Sequence, residues 1–204
     1  MRILVLNRGS SSVKCSLYDF SEFPKEIQEP IWQDQIEWKN IQRDSLKGKL
    51  KALFKDQQMD YIGHRIVHGG KKYSQCVRID SAVKSEIRRL ADLAPLHNLA
   101  DLEGIEILES LFPDKPQFAV FDTAFHHTLP LHAKVYAGPY EWYEKGIQRY
   151  GFHGINFQYC TKRSEALLGK LPEKMVICHL GSGASLAAVQ NGKSIDTTMG
   201  LTPL

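Results

Sequence analysis

Residues 3–14, Ile-Leu-Val-Leu-Asn-Arg-Gly-Ser-Ser-Ser-Val-Lys, carry the reading on which the fold turns. An apolar run, Ile3 to Leu6, enters Asn7, Arg8, Gly9, Ser10, Ser11 and Ser12, and apolar residues resume with period 2 at Val13, Cys15 and Leu17. That spacing predicts a β-hairpin with a polar tip. Clustered backbone N–H groups and hydroxyls, with Lys14 as a point charge on the outgoing strand, suit a phosphate. The same residues also suit a solvated serine-rich turn. A Walker loop is excluded, because the G-x-x-x-x-G-K-[ST] spacing is absent and a strand follows where a helix would be needed.

Outward from the hairpin, strands are expected at 2–7, 13–19 and 31–38, then a polar helix over 41–54. A strand over 61–67 ends in His68, Gly69 and Gly70, which lets the backbone turn tightly. Apolar residues at Val83, Ile87, Leu90 and Leu93 predict a helix over 81–93, and Leu102, Ile105, Ile107 and Leu108 another over 99–111. A short strand, 117–121, delivers Asp122 at its carboxyl end, where ligands gather in open α/β sheets. Residues 130–146 read as a surface connection. A helix over 156–168 follows, then a strand over 174–180 that runs into Gly181, Ser182, Gly183, Ala184 and Ser185. Leu186 to Gln190, an Asn191-Gly192 turn and a strand from Lys193 complete the pattern. The opening device therefore recurs. The expected organisation is a first domain over 1–125 and the opening of a second, nucleotide-binding domain over 126–204, the two clamping a nucleotide's phosphates. Such a layout is similar to the actin, sugar-kinase and heat-shock ATPase superfamily.

Composition is ordinary for a soluble globular chain of 204 residues, with 43% apolar and 24% charged residues. A net charge of +3 without basic blocks leaves no footprint for nucleic acid or an anionic membrane. The opening apolar run is too short for a signal peptide or a transmembrane span, so a cytoplasmic location is expected. Cys15, Cys76, Cys160 and Cys178 form no C-x-x-C pair and are expected to be free, mostly buried thiols.

Five further segments gather polar residues, each expected at the end of a strand: GHRIVHGG (63–70), APLHN (94–98), FDTAFHHTLP (121–130), YGFHG (150–154) and HLGSGAS (179–185). With the first hairpin they make six motifs in order from Leu4 to Leu204, and by them the chain closely resembles the acetate kinases. The resemblance implies an α/β, actin-like ATPase (ribonuclease H-like) fold of the acetate and sugar kinase superfamily. It implies a phosphotransferase with a carboxyl group as acceptor, acting reversibly between ATP plus acetate and ADP plus acetyl phosphate, with Mg²⁺ or Mn²⁺.

Residue by residue, Arg65 would bind the acyl carboxylate and the transferring phosphoryl group, for which a planar guanidinium fork is suited; a structural salt bridge is the alternative. Asp122 would orient the acyl group or hold the metal, with Asn7 as the ion's neighbour; a turn-capping aspartate is the alternative. His153 would stabilise the transferring group and His97 would act similarly and more weakly, since phosphoryl transfer depends on positioning and charge neutralisation. His64 and His68 would only hold their loop. Ser10, Ser12 and Lys14 would form one phosphate loop, and His179, Gly181, Ser182 and Gly183 the other. Val67, Leu96, Phe152 and Pro203 would surround the acetate methyl, or be plain core. His126 and His127 invite a metal reading, but consecutive residues point apart.

The chain departs from the family at Ser182, where an asparagine is usual, at Leu99, where a proline is usual, and at Ile155, Asn156 and Phe157, where the family carries GTSH. It also ends inside a motif that continues in the family. The expectation is the N-terminal half of an enzyme that would be a homodimer when full length, inactive alone, with apolar surface exposed on the second domain. The alternatives are a catalytically silent phosphate- or nucleotide-binding fragment, a propionate or butyrate kinase, and an actin-like or chaperone-like clamp, which would leave APLHN and YGFHG unexplained.

Overall fold

The computed structural model describes residues 1–9, 12–22, 28–37 and 41–203, without the side chains of Pro95 and Leu96. The chain divides into two compact units: 1–66 with 77–91 and 95–120, and 67–76 with 92–94 and 121–204.

The first unit is a six-stranded sheet with helices. Its strands are β1 (Arg2–Arg8), β2 (Ser12–Asp19), β3 (Trp32–Glu37), β4 (Tyr61–Ile66), β5 (Val77–Arg78) and β6 (Gln117–Phe121), in the order β3-β2-β1-β4-β6-β5. β1 and β2 pair antiparallel with Leu4 opposite Leu17 and Leu6 opposite Cys15, so the apolar alternation places one row of side chains on one face. β1 runs parallel to β4, Leu4 opposite Ile62 and Leu6 opposite His64. Leu46 and Leu50 of α1 (Arg43–Leu53) and Ile107 and Leu108 of α3 (Pro95–Leu111) close over that row. The opposite pleat carries Asn7, and this polar face emerges at the carboxyl ends of β1 and β4.

Helix α2 (Ser81–Arg89) starts at Asp80, whose carboxylate accepts the Val83 N–H at 2.8 Å. It ends four residues short of the expected Leu93, in a 3₁₀ turn over Leu90–Asp92. α3 begins at Pro95 and not at Leu99. Proline lacks only an N–H that the first turn leaves unpaired, and its fixed φ suits the first helical position. APLHN therefore opens a helix; its expected place at a strand end is corrected.

The second unit holds a three-stranded antiparallel sheet, β7 (Lys174–Leu180), β8 (Ala184–Gln190) and β9 (Lys193–Thr197). Asn191 and Gly192 turn between β8 and β9 with φ of 48° and 76°, the left-handed pair that a tight hairpin requires. Residues 130–146 contain two four-residue helices, α4 (Leu131–Lys134) and α5 (Glu141–Glu144). α6 (Gly154–Leu168) packs Phe157, wholly buried, against Ala187 and Val189. Phe157→Ala is expected to destabilise this unit by about 3–5 kcal/mol, since the cavity cannot collapse fully. Urea unfolding read by circular dichroism checks this, and a loss below about 1 kcal/mol would contradict the packing.

The outward face of the sheet shows Val176, 68% exposed, and Leu180, 79% exposed, with Leu186 and Ile195 beside them. Apolar surface is thus exposed where it was expected. Cys178 lies on this outward face, Cys76 is also exposed, and Cys160 is half-buried. Only Cys15 is buried, so the expectation of mostly buried thiols is corrected: period 2 put Cys178 on the uncovered side. Burial pushes the Cys15 thiol up to about 12, aided by Asp34.

Candidate functional site

In the first unit, hairpin and β4 bring Asn7 and Arg65 together. Leu6 and His64 are buried partners, so Asn7 and Arg65, one residue on, share the opposite face. Arg65 Nη1 donates to Asn7 Oδ1 at 3.3 Å and to the Arg8 carbonyl at 3.2 Å. Lys14, exposed, lies directly across from Asn7, and the Gly9 N–H donates to the Ser12 carbonyl at 2.8 Å to close the turn. Ser10 lies outside the described residues. Arg8 points to the buried face, where burial pulls its guanidinium down to about 10 against the pull of Glu103 and Asp101; Glu103 Oε2 is 3.3 Å away. It remains charged at neutral pH. His97 is half-buried on the first turn of α3, and the Leu96 side chain lies outside the described residues.

His64 is buried, and its Nε2 lies 2.6 Å from Gln117 Oε1. The amide oxygen can only accept, so Nε2 carries the proton. Desolvation lowers its pKa to about 4, the hydrogen bond opposing only in part.

In the second unit, Asp122 is buried and its carbonyl accepts the Gly154 N–H at 2.8 Å. A Cβ on Gly154 would stand 2.2 Å from that carbonyl oxygen, so only glycine allows α6 to start this close to Asp122. His153 precedes it with φ of 59°, a left-handed conformation uncommon outside glycine, in which histidine is enriched among the other residues. Its ring stacks on His179 with centroids 3.9 Å apart and planes 13° apart, and Nδ1 lies 2.8 Å from Ser185 Oγ. An ideal Cβ on Gly183 would meet the His153 ring at 3.4 Å, and one on Gly181 would lie 3.7 Å from His179 Nε2. His153, His179, Gly181, Gly183 and Ser185 therefore form one cluster, with Ser182 exposed at its loop. Val67 and Phe152 pack together with Met199, while Pro203 is only half-buried.

Sequence reasoning gave Ser185 no part and weighed His126 only as a metal ligand. His126 holds the Phe152 carbonyl through Nε2 at 3.1 Å and Ser194 Oγ through Nδ1 at 2.8 Å, which fixes Nε2–H as donor. His127 is exposed, so the two histidines do point apart. Ser185 lies within HLGSGAS, but its bond to His153 comes from strand register, which a motif does not display. His68 accepts the Gly70 N–H on Nδ1 at 3.0 Å and donates through Nε2 to the Leu201 carbonyl at 3.3 Å. Desolvation lowers both His68 and His126 to about 4.

Among the described residues no group of three or more His, Cys, Asp or Glu is arranged to hold a metal. Magnesium does not require one, being held by one or two carboxylates together with substrate phosphates. The Asp122 carboxylate and the Asn7 amide oxygen, each on its own unit, are hard donors of the fitting type.

With Asn7 on the β1-β2 hairpin, Arg65 on the neighbouring β4, and a glycine-rich hairpin beside stacked histidines, the mixed sheet with its helices fits an α/β fold of the actin-like ATPase type, and comparison with known proteins agrees. The sequence profile described as the acetokinase family matches residues 44–204, and the chain belongs to that family. It is 47% identical to the acetate kinase of Microcystis aeruginosa (strain NIES-843 / IAM M-2473) and 46% identical to that of Acaryochloris marina (strain MBIC 11017). All of this chain is covered in both alignments, and 59% of each relative, so it spans well under two thirds of their length. Among solved structures, a propionate kinase from Francisella tularensis subsp. tularensis SCHU S4 is similar with a TM-score of 0.85 and 37% identity, over 99% of this chain and 58% of that one. Porphyromonas gingivalis acetate kinase gives 0.81 and 35%, with the same coverage.

Proposed function

We propose that this chain is the acyl- and phosphate-handling part of an acetate kinase, which transfers a phosphoryl group reversibly between ATP and acetate in the cytoplasm. The observation that carries the proposal is the Arg65 guanidinium, offered at the carboxyl end of β4 beside Asn7 on the polar face of the first unit. Arg65 binds the carboxylate and the transferring group with its planar fork. Asp122 orients the acyl group, and His153, held by Ser185 and the His179 stack, donates to the phosphoryl oxygens. Ser10, Ser12 and Lys14 bind phosphate on one unit; His179, Gly181, Ser182 and Gly183 do so on the other. Asp122 on the second unit would suit Mg²⁺ or Mn²⁺ as a hard donor, Asn7 on the first would suit its neighbourhood, and the ion would neutralise phosphate charge when bound. Val67, Phe152 and Pro203 of the second unit would border the acyl methyl, and Leu96 and His97 of α3 keep the roles that the family resemblance implies, at the methyl and at the transferring group. Residues 1–125 supply the acyl side and 126–204 open the nucleotide side.

Propionate is the second acyl substrate to consider, because a propionate kinase is among the similar structures. One methylene separates the two acids by only about 1–3 kcal/mol.

The test is an acyl-hydroxamate assay with ATP, Mg²⁺ and acetate or propionate. It is run on the 204-residue chain and on a chimera joining it to the part of the Microcystis aeruginosa acetate kinase it does not match. Turnover by the chimera alone is expected, and the whole protein is expected to be a homodimer. Turnover by neither would overturn the reading.

A further inference from the structure

A polar cavity of about 330 Å³ in the second unit is lined by none of the residues assigned to acyl phosphate chemistry. Lys71, Lys134 and Arg149 line it, with Gln148, His127 and Tyr143, and among the described residues no carboxylate does. Each cation is pinned by a main-chain carbonyl. Lys71 Nζ donates to Tyr143 at 2.6 Å, Lys134 Nζ to His127 at 2.9 Å, and Arg149 Nη1 to Thr197. The Arg149 N–H also donates to the Lys134 carbonyl at 2.8 Å, tying two of the charged segments together.

Carbonyl dipoles position these charges without neutralising them. None of the three cations has an ion pair among the described residues. Arg149 Nε is buried without an acceptor, and Gln148, 6% exposed, makes no side-chain hydrogen bond with the described residues. Burial also holds the Lys134 ammonium below its ordinary range. Three like charges with no carboxylate lining the cavity, beside the buried Arg149 Nε that lacks an acceptor, favour an entering anion. The polar wall offers little to an apolar ligand.

We propose that this cavity binds a small, multiply charged oxyanion, of the phosphate or the polycarboxylate class, separately from any acyl phosphate chemistry. The ligand would bridge Lys71 and Lys134 and reach the Arg149 and Gln148 donors.

Isothermal titration of the 204-residue chain with pyrophosphate and with tricarballylate, each against sodium chloride at matched ionic strength, tests this. Saturable binding of one probe is expected, and which one decides the class. Lys71→Gln with Lys134→Gln is expected to weaken it by about tenfold per lysine, each removing a charge-assisted hydrogen bond. Binding that survives the double variant but is lost in Lys14→Gln would belong to the serine-rich turn and would overturn the proposal, as would no saturable binding of either probe. Amide shifts in the unsubstituted chain give a second readout independent of variant folding. They are expected at Lys71, Gln148 and Arg149, and shifts confined elsewhere would equally overturn it.

Discussion

Arg65→Ala, made in the chimera with the Microcystis aeruginosa enzyme, is expected to lower kcat/KM for acetyl phosphate formation by roughly a thousandfold or more. Phosphoryl transfer gives the protein little covalent chemistry to perform, so catalysis rests on positioning and on neutralising charge spread over equatorial oxygens. A guanidinium that contacts both the acyl carboxylate and the transferring group contributes to each requirement. A thousandfold loss corresponds to about 4 kcal/mol of transition-state stabilisation. The geometry also says what the variant should leave intact. Arg65 is half-buried on the polar face, opposite the packed row of β1 and β4, and donates to the Asn7 amide oxygen and the Arg8 carbonyl, so its loss leaves that packed row in place. Far-ultraviolet circular dichroism should therefore be unchanged while hydroxamate formation collapses. Arg65→Lys is expected to fall between, because it restores a charge without the planar fork. Retention of more than about a tenth of kcat/KM in Arg65→Ala would assign the residue to holding the hairpin.

Much of this arrangement was legible in the sequence because period 2 and glycine-bearing turns are local signals. The β1-β2 hairpin and the β7-β8-β9 meander fall within a residue or two of their expected bounds. The start of α3 was not legible, because apolar periodicity begins only near Leu99, while the helix starts at Pro95 through backbone geometry that periodicity does not report. β5 has two residues, too few to show any alternation. Phe157 shows a different limit. A departure from the family's GTSH looks like a lost polar contact on the page, yet the side chain fills the core between α6 and β8. His126 and Ser185 could be seen as polar residues inside quoted motifs. Their partners, Phe152 and Ser194 for one and His153 for the other, lie 26 to 68 residues away and exist only once strands pair.

Buried neutral histidines lead to the second large effect, a loss of stability on mild acidification. His64 in the first unit, and His68 and His126 in the second, each have a folded pKa of about 4 against an ordinary 6.5, with desolvation as the leading cause. The sign follows from which state binds protons. Between pH 6.5 and 4 the unfolded chain holds them and the folded chain does not, so stability rises with pH across that window. Above it these groups contribute no pH dependence; below it the loss is complete. Each histidine costs on the order of 3 kcal/mol over the window, at roughly 1.4 kcal/mol per pH unit. Asp19, held below its ordinary value by Arg2, acts only at lower pH. For a domain stable by only about 5–15 kcal/mol, two such groups in one unit are a large fraction of the total. Urea unfolding at half-unit steps from pH 7.5 to 4 should show the second unit losing stability about twice as steeply as the first, followed by amide signals from each. In His126→Gln the second unit's slope should fall by about half, whatever the variant's absolute stability. A flat profile between pH 6.5 and 4.5 would mean that these rings are solvated or paired in the folded protein, contrary to the geometry that buries them.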